Sequence, residues 1–364
     1  MSQYIFILFW LGFMGLLASQ KELKQTEVVC GERVNRFPWW FAIMVFLPVI
    51  WMAGTRTYLG DTFLYRLGFL KIPDSLSVFS DYFQMLQKDK GYSVFAFLVK
   101  QVVGNNSVLY FTFVALLQAV LLISVYRKYS INYVMSVFLF IASTDYLSWM
   151  FNGIRQFIAV VIVFAATPWM LKKKYVQLVL IVLLASTFHK TALIMLPCVI
   201  IAQGRAWNKK TLMFIVCALL AVAFVSRFIG WMDDALSETQ YANVVSDYKS
   251  WNDDGTSFQR VLVYSVPALL SFFGKKRIQR LGNPMINFCT NMSIISMGLY
   301  IISMFTSGIF IGRLPIYVSL YSYILLPWEA RYLFGRTLSM FMYVGIVVCF
   351  LIFYCFQLSV WSLL

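Results

Sequence analysis

The sequence predicts an all-α polytopic integral membrane protein. Three observations carry the membrane assignment. Of 364 residues, 61% are hydrophobic and only 12% charged, where a soluble domain carries about 25% charged residues. Apolar runs recur along the whole chain, close to the about 20 residues that one crossing needs. Basic clusters separate consecutive pairs of those runs, as the positive-inside bias arranges cytoplasmic loops. The periodicity is not that of a β-barrel, so the spans are helices, which satisfy their own backbone in lipid.

Taken in order, the runs predict about 12 transmembrane or half-membrane helices. They fall at 4–19, 39–53, 107–126, 131–149, 155–171, 175–188, 190–203, 211–230, 259–274, 285–304, 310–328 and 337–358. The first lacks a basic n-region, and Lys21 and Lys24 follow it. A retained helix is therefore expected and not a cleaved signal. The clusters at Lys21–Arg36, Arg127–Lys128, Lys172–Lys174, Arg205–Lys210, Lys275–Arg280 and Arg331–Arg336 are placed inside. Both termini then come out extracytoplasmic, and two longer loops, 54–106 and 231–258, face outward. Within the first loop "YSVFAFLV" (92–99) is too short to span and is expected to be interfacial or re-entrant. The second is acidic and aromatic, with Trp231 and Trp251. No repeat or soluble segment interrupts the chain, so residues 1–364 are expected to form a single integral membrane domain.

The net charge of +15 is mostly topology: eighteen of the 30 Lys and Arg lie in the inside clusters, and only four acidic residues, all Glu, share that side. It does not point to nucleic acid. The six cysteines are scattered without metal-type spacing and are expected to be packing residues.

Four stretches place polar groups where a membrane protein has no structural need of them, which is a functional hypothesis by default. "GTRTYLGDTFLYR" (54–66) offers Arg56, Asp61, Tyr65 and Arg66; a solvated loop with an Arg–Asp pair is its plain alternative. "NGIRQ" (152–156) opens a helix, with Asn152 as the expected cap and Arg155 and Gln156 in the first turn. An arginine there opposes the helix dipole but suits anion binding beside exposed N–H groups. "STFHKT" (186–191) holds the only histidine, His189, next to Lys190, inside an apolar stretch from Tyr175 to Gln203. The arm 175–188 is about 21 Å of helix, short of the roughly 30 Å hydrocarbon core. One helix over the whole stretch would also put two basic clusters on opposite sides. Two short arms meeting at His189–Lys190 remove both conflicts. "IFIGRLPIYVSLY" (309–321) carries Arg313, with Tyr317 one turn further on the same helical face; snorkelling is the plain account of Arg313.

Outward arginines suit a phosphate or diphosphate, whose oxygens match the guanidinium fork. A lone histidine is the usual base near neutral pH. The chemistry suggested is attack on a substrate that carries phosphate in a lipid.

In that order, "GTRTYLGDTFLY", "NGIRQFIAVVIVFAA", "LLASTFHKTALIMLP" and "GRLPIYVSLY" resemble the EpsG family of Wzy-like polymerases for O antigen, capsule and exopolysaccharide, over about residues 40–325. The resemblance implies a glycosyltransferase of the bacterial cytoplasmic (inner) membrane, related to the GT-C type and working at the outer leaflet. Its donor and acceptor partners are undecaprenyl-diphosphate-linked glycans in membrane lipid, with a chain-length regulator protein as a further partner and no cofactor. The growing glycan is transferred en bloc to the non-reducing end of a new repeat unit. Carried onto this chain, Arg155, Lys190 and Arg313 hold the diphosphate with Arg56 beside them, and Gln156 and Tyr317 line the substrate site. His189 takes the acceptor proton, with Asp61 as its rival. No DxD-like motif opens a loop, and "MDD" and "NDD" (Asp233, Asp234, Asp253, Asp254) suit an acidic outer loop, so metal independence is expected. The alternatives are an O-antigen-type ligase or membrane acyltransferase, and a flippase for lipid-linked oligosaccharide.

Overall fold

The computed structural model describes residues 2–20, 23–29, 32–86, 88–237 and 255–360. It is 79% helical with almost no sheet, so the all-α class holds. The chain divides into two compact units, Met1–Leu193 with Met340–Leu364, and Ile194–Ser339.

The first unit contains α1 (Ser2–Leu17), the strands β1 (Gln25–Val29) and β2 (Glu32–Arg36), α2 (Trp39–Thr55), α3 (Thr62–Leu70), α4 (Leu76–Met85) and α5 (Lys90–Val103). It continues through α6 (Ser107–Tyr129), α7 (Tyr133–Ala142), α8 (Asp145–Phe151), α9 (Ile154–Ala165), α10 (Thr167–Leu171) and α11 (Tyr175–Phe188). The second unit contains α12 (Met195–Ala202), α13 (Lys209–Ala223), α14 (Val225–Leu236), α15 (Phe258–Phe273), α16 (Lys275–Leu281), α17 (Pro284–Met304), α18 (Ile316–Ser319) and α19 (Ser322–Tyr332). The last helix, α20 (Arg336–Val360), lies mostly in the first unit.

Asparagine side chains start four of the helices. Asn106 Oδ1 accepts from Val108 and Leu109 N–H, both at 3.1 Å, and opens α6. Asn132, Asn208 and Asn283 cap α7, α13 and α17 in the same way. Each satisfies donors that would otherwise be stranded at a helix end.

Helices occur at all twelve predicted places, but not as twelve spans. By length and composition three are long and apolar enough to cross a membrane: α6, α17 and α20. The number rises to five if two bent pairs each count as one span, α7 with α8 (77°) and α13 with α14 (103°). Thr144, at φ 58°, breaks the first pair, so the helix expected at 131–149 is two pieces. The apolar window of α17 is 89% buried, whereas that of α20 is only 28% buried. In the second unit α17 is therefore the central helix, packed by α12, α13, α15, α18 and α19.

Two segments expected to be loops have structure. Residues 54–106 hold three helices, and α5 absorbs the short apolar piece at 92–99. Aromatic stacking explains their order: Phe79 lies on Phe97 (4.1 Å between centroids) and Phe69 on Tyr110 (4.0 Å). Lys100 is buried and donates to Leu70 O (3.1 Å) and Ile72 O (2.5 Å), tying α5 to the end of α3. The basic stretch after α1 forms an antiparallel hairpin pairing Gln25 with Arg36 and Val29 with Glu32. Arg127 fastens it by an ion pair with Glu27 and a bond to Phe37 O. Part of one inside cluster is thus structural as well as topological. Most of the expected second outer loop, with Trp251, Asp253 and Asp254, lies outside the described residues, as does Cys30.

Candidate functional site

Three of the four polar stretches meet in the first unit, and α5 supplies a fourth wall. His189 ends α11: its backbone is extended (φ −159°, ψ 121°), and a 3₁₀ turn, Lys190–Ile194, follows. The predicted break is therefore present. The two arms belong to different units, α11 to the first and α12 to the second. His189 Nδ1 is 2.6 Å from Thr191 Oγ1, and Gln156 Nε2 donates to that oxygen at 3.3 Å. This network joins the "FHK" turn to the start of α9. In the tautomer with Nδ1–H turned to Thr191, the ring lone pair is at Nε2.

Arg155, one residue earlier, ion-pairs through Nη1 with Asp89 Oδ2 at 2.7 Å. Arg155 also acts on the Tyr65 hydroxyl by charge and hydrogen bonding. Burial pushes that hydroxyl above its ordinary value, opposed by Arg155, so Tyr65 is a neutral donor. Lys190 is close enough to stabilise the Asp89 carboxylate, as is Lys88. Tyr92 shares a 2.5 Å hydrogen bond with Tyr110, which extends the polar wall toward Arg56.

Close approach requires glycine at two seams. A Cβ on Gly91 would lie 2.0 Å from Thr187 Oγ1 and 3.0 Å from the Thr187 backbone carbon. Gly60 has φ +50°, and a Cβ there would meet Asn152 Oδ1 at 2.1 Å. Asn152 is not the expected cap of α9; Gly153 stands at that position. The Asn152 amide is turned to the 54–66 stretch, where its oxygen accepts from Asp61 N–H at 3.2 Å.

Arg56 differs from expectation. It is buried at 8% exposure, and no Arg56–Asp61 pair is present among the described residues. Its guanidinium donates to Thr62 Oγ1 (3.1 Å), Ala53 O (2.7 Å) and Phe151 O (3.3 Å). It lies 4.2 Å from the Phe111 ring centroid. Burial lowers its pKa to about 10, so it stays charged at neutral pH. Most of its donors are committed to protein. Asp61 is exposed.

Arg313 and Tyr317 belong to the second unit. The regular helix that placed them on one face is absent: Arg313 closes a 3₁₀ turn, Ile311–Arg313, and Tyr317 is in the four-residue α18 after Pro315. Arg313 is exposed and Tyr317 buried. Asp89 and Tyr92 are not among the residues the sequence singles out, and Arg66 is named there only as part of the 54–66 stretch. Arg66 Nε is buried without a hydrogen-bond partner among the described residues. The signal was present in the charges of 54–66 for Arg66 and in "KDKGY" (88–92) for the other two. Among the described residues no three His, Cys, Asp or Glu are grouped to hold a metal ion.

Fold and site define a class: an α-helical membrane protein with a cationic, tyrosine-lined site at the ends of short helices. The chain belongs to the EpsG family, which it matches over residues 39–363, a family of Wzy-like polysaccharide polymerases. No curated protein and no solved structure matches the chain.

Proposed function

We propose that this protein polymerises undecaprenyl-diphosphate-linked oligosaccharide repeat units into O antigen, capsule or exopolysaccharide at the outer leaflet of the bacterial cytoplasmic membrane. The observation that carries the proposal is the gathering of Arg155, Lys190, Lys88 and Tyr65 around one carboxylate, Asp89. Cations with neutral donors suit a diphosphate leaving group, whose growing charge they stabilise in the transition state. Arg155 and Lys190 hold the diphosphate, and Gln156 holds the "FHK" turn against the base of Arg155's helix. Arg56 serves as scaffold for the 54–62 turn. Arg313, exposed in the second unit, keeps its expected role as an anion ligand. The glycan passes en bloc from its lipid diphosphate to the non-reducing end of a new unit, without a metal ion.

The test is reconstitution. Purified protein is incubated with a synthetic lipid-diphosphate repeat unit and the products are separated on a gel. A ladder from wild type, lost in Arg155→Ala and Arg313→Ala, is the expected result. Single repeats from wild type refute polymerisation. Glycan transferred to a second lipid acceptor without lengthening indicates the ligase alternative. Movement of intact units between leaflets of proteoliposomes, without a ladder, indicates the flippase alternative.

A further inference from the structure

Asp89 stands just before α5, at the N-cap position. Aspartate there ordinarily turns its carboxylate onto the free N–H groups of the first turn, worth about 1 kcal/mol. This one makes no such bond. Its backbone is left-handed, φ 53° and ψ 38°, a conformation that aspartate enters more readily than most residues. The carboxylate faces Arg155 instead. Oδ2 accepts from Nη1 at 2.7 Å, and the side chain is only 8% exposed. Oδ1 is buried with no hydrogen-bond partner among the described residues. A buried acceptor left unpaired is costly, so Oδ1 suits an occupant that donates a proton. On the polymerase reading, which this inference deepens, the acceptor sugar brings such a donor, its hydroxyl.

The geometry points to Asp89 as the general base of the site. Oδ1 takes the proton of the acceptor hydroxyl while that oxygen bonds to the anomeric carbon of the donor. The bond from that carbon to the diphosphate oxygen breaks, and its electron pair leaves on the diphosphate; Asp89 later returns the proton to water. Asp89 uses Nη1 of the Arg155 fork and the Tyr65 hydroxyl is bonded to it as well; the donors that remain serve the diphosphate. The two halves of the reaction are thereby coupled. As Asp89 gains a proton it loses its charge, and Arg155 is released to the diphosphate as that group gains charge. Burial raises the Asp89 carboxyl from its usual range, against Arg155, Lys88 and Lys190, which act in the other direction. A raised value brings a base nearer to operating pH. Asp61 is exposed, and His189, bonded to Thr191 through Nδ1, is the rival base through Nε2.

Asp89→Asn in the full-length purified protein is the test. Asparagine keeps the shape and an oxygen for Arg155 but cannot take the proton. Turnover is expected to fall at least about 100-fold, while KM for the lipid diphosphate changes by less than about threefold. The wild-type rate is expected to fall at acid pH with a limb above the ordinary aspartate value of about 4, and the residual activity of the variant should lack that limb. Asp89→Ala, prepared as a monodisperse protein, should regain activity in formate, which replaces the missing carboxylate. Near wild-type turnover in Asp89→Asn overturns the assignment, and so does a folded Asp89→Ala that formate does not revive. A wild-type protein that makes no ladder refutes polymerisation itself, so the two failures are distinct.

Discussion

Gly91→Ala tests the seam that brings the polar stretches together. The added Cβ would lie 2.0 Å from Thr187 Oγ1, 2.7 Å from Thr187 Cβ and 3.0 Å from the Thr187 backbone carbon. Ordinary contact begins at 3.4 Å. The Thr187 hydroxyl donates to Leu184 O at 2.7 Å, so rotating it away loses that bond. Rotation clears Oγ1 but leaves Cβ and the backbone carbon where α11 holds them. The start of α5 must therefore move from α11 by on the order of 1 Å, an overpacking cost of about 1–3 kcal/mol. Asp89 rides on the side that moves, and His189 and Lys190 follow Thr187 on the other. A displacement of about 1 Å at reacting groups costs roughly 100-fold in rate. Gly91→Ala should thus lower the melting temperature in detergent modestly and polymerisation strongly. Adding Thr187→Gly removes two of the three clashing atoms, at about 1 kcal/mol for glycine within a helix. The double variant should be more active than Gly91→Ala alone. A single variant with wild-type activity and melting, or a double variant no better than the single, would refute the close seam.

Arg56→Ala should act on stability: it strands the Ala53 and Phe151 carbonyls, each costing about 1–3 kcal/mol when left unpaired. A lower melting temperature with unchanged KM in the folded fraction is expected; a raised KM with normal melting would make Arg56 a direct ligand. Arg155→Ala should cost about 100–1,000-fold in turnover. Arg155→Lys should recover little of this, because a point charge cannot serve Asp89 and a diphosphate together as the fork can; full activity in the lysine variant would contradict that. Activity should persist in EDTA, and a loss restored by Mg²⁺ or Mn²⁺ would refute metal independence.

The helices were legible because burying or immersing an apolar run needs no partner information. The break at His189 was legible from charge arithmetic, since the clusters at Lys172–Lys174 and Arg205–Lys210 could not both be inside with one straight helix. Less was visible where the signal is shared between segments. The hairpin of β1 and β2 is largely polar, and its tie is Arg127, about a hundred positions away in the chain. The segments α3, α4 and α5 are too mixed to register as spans, and they pack through aromatic pairs such as Phe79–Phe97 that only the fold brings together. The bend at Thr144 has neither proline nor glycine to mark it.

The candidate site divides along the same line. Residue type and expected outward position made Arg56 and Arg155 equivalent in the sequence. The structure separates them by what each already holds. Arg56 donates to two carbonyls and a hydroxyl and is covered by Phe111, so binding an anion there would first have to break those bonds. Arg155 is 37% exposed at its side chain, bonded to the Tyr65 hydroxyl and paired with one carboxylate, which can give up its charge. A cation that is neutralised reversibly suits a reaction in which charge appears only in the transition state. That distinction rests on the pair of Arg155 with Asp89. In sequence, an aspartate before a helix, followed by Lys-Gly, signals nothing beyond a cap.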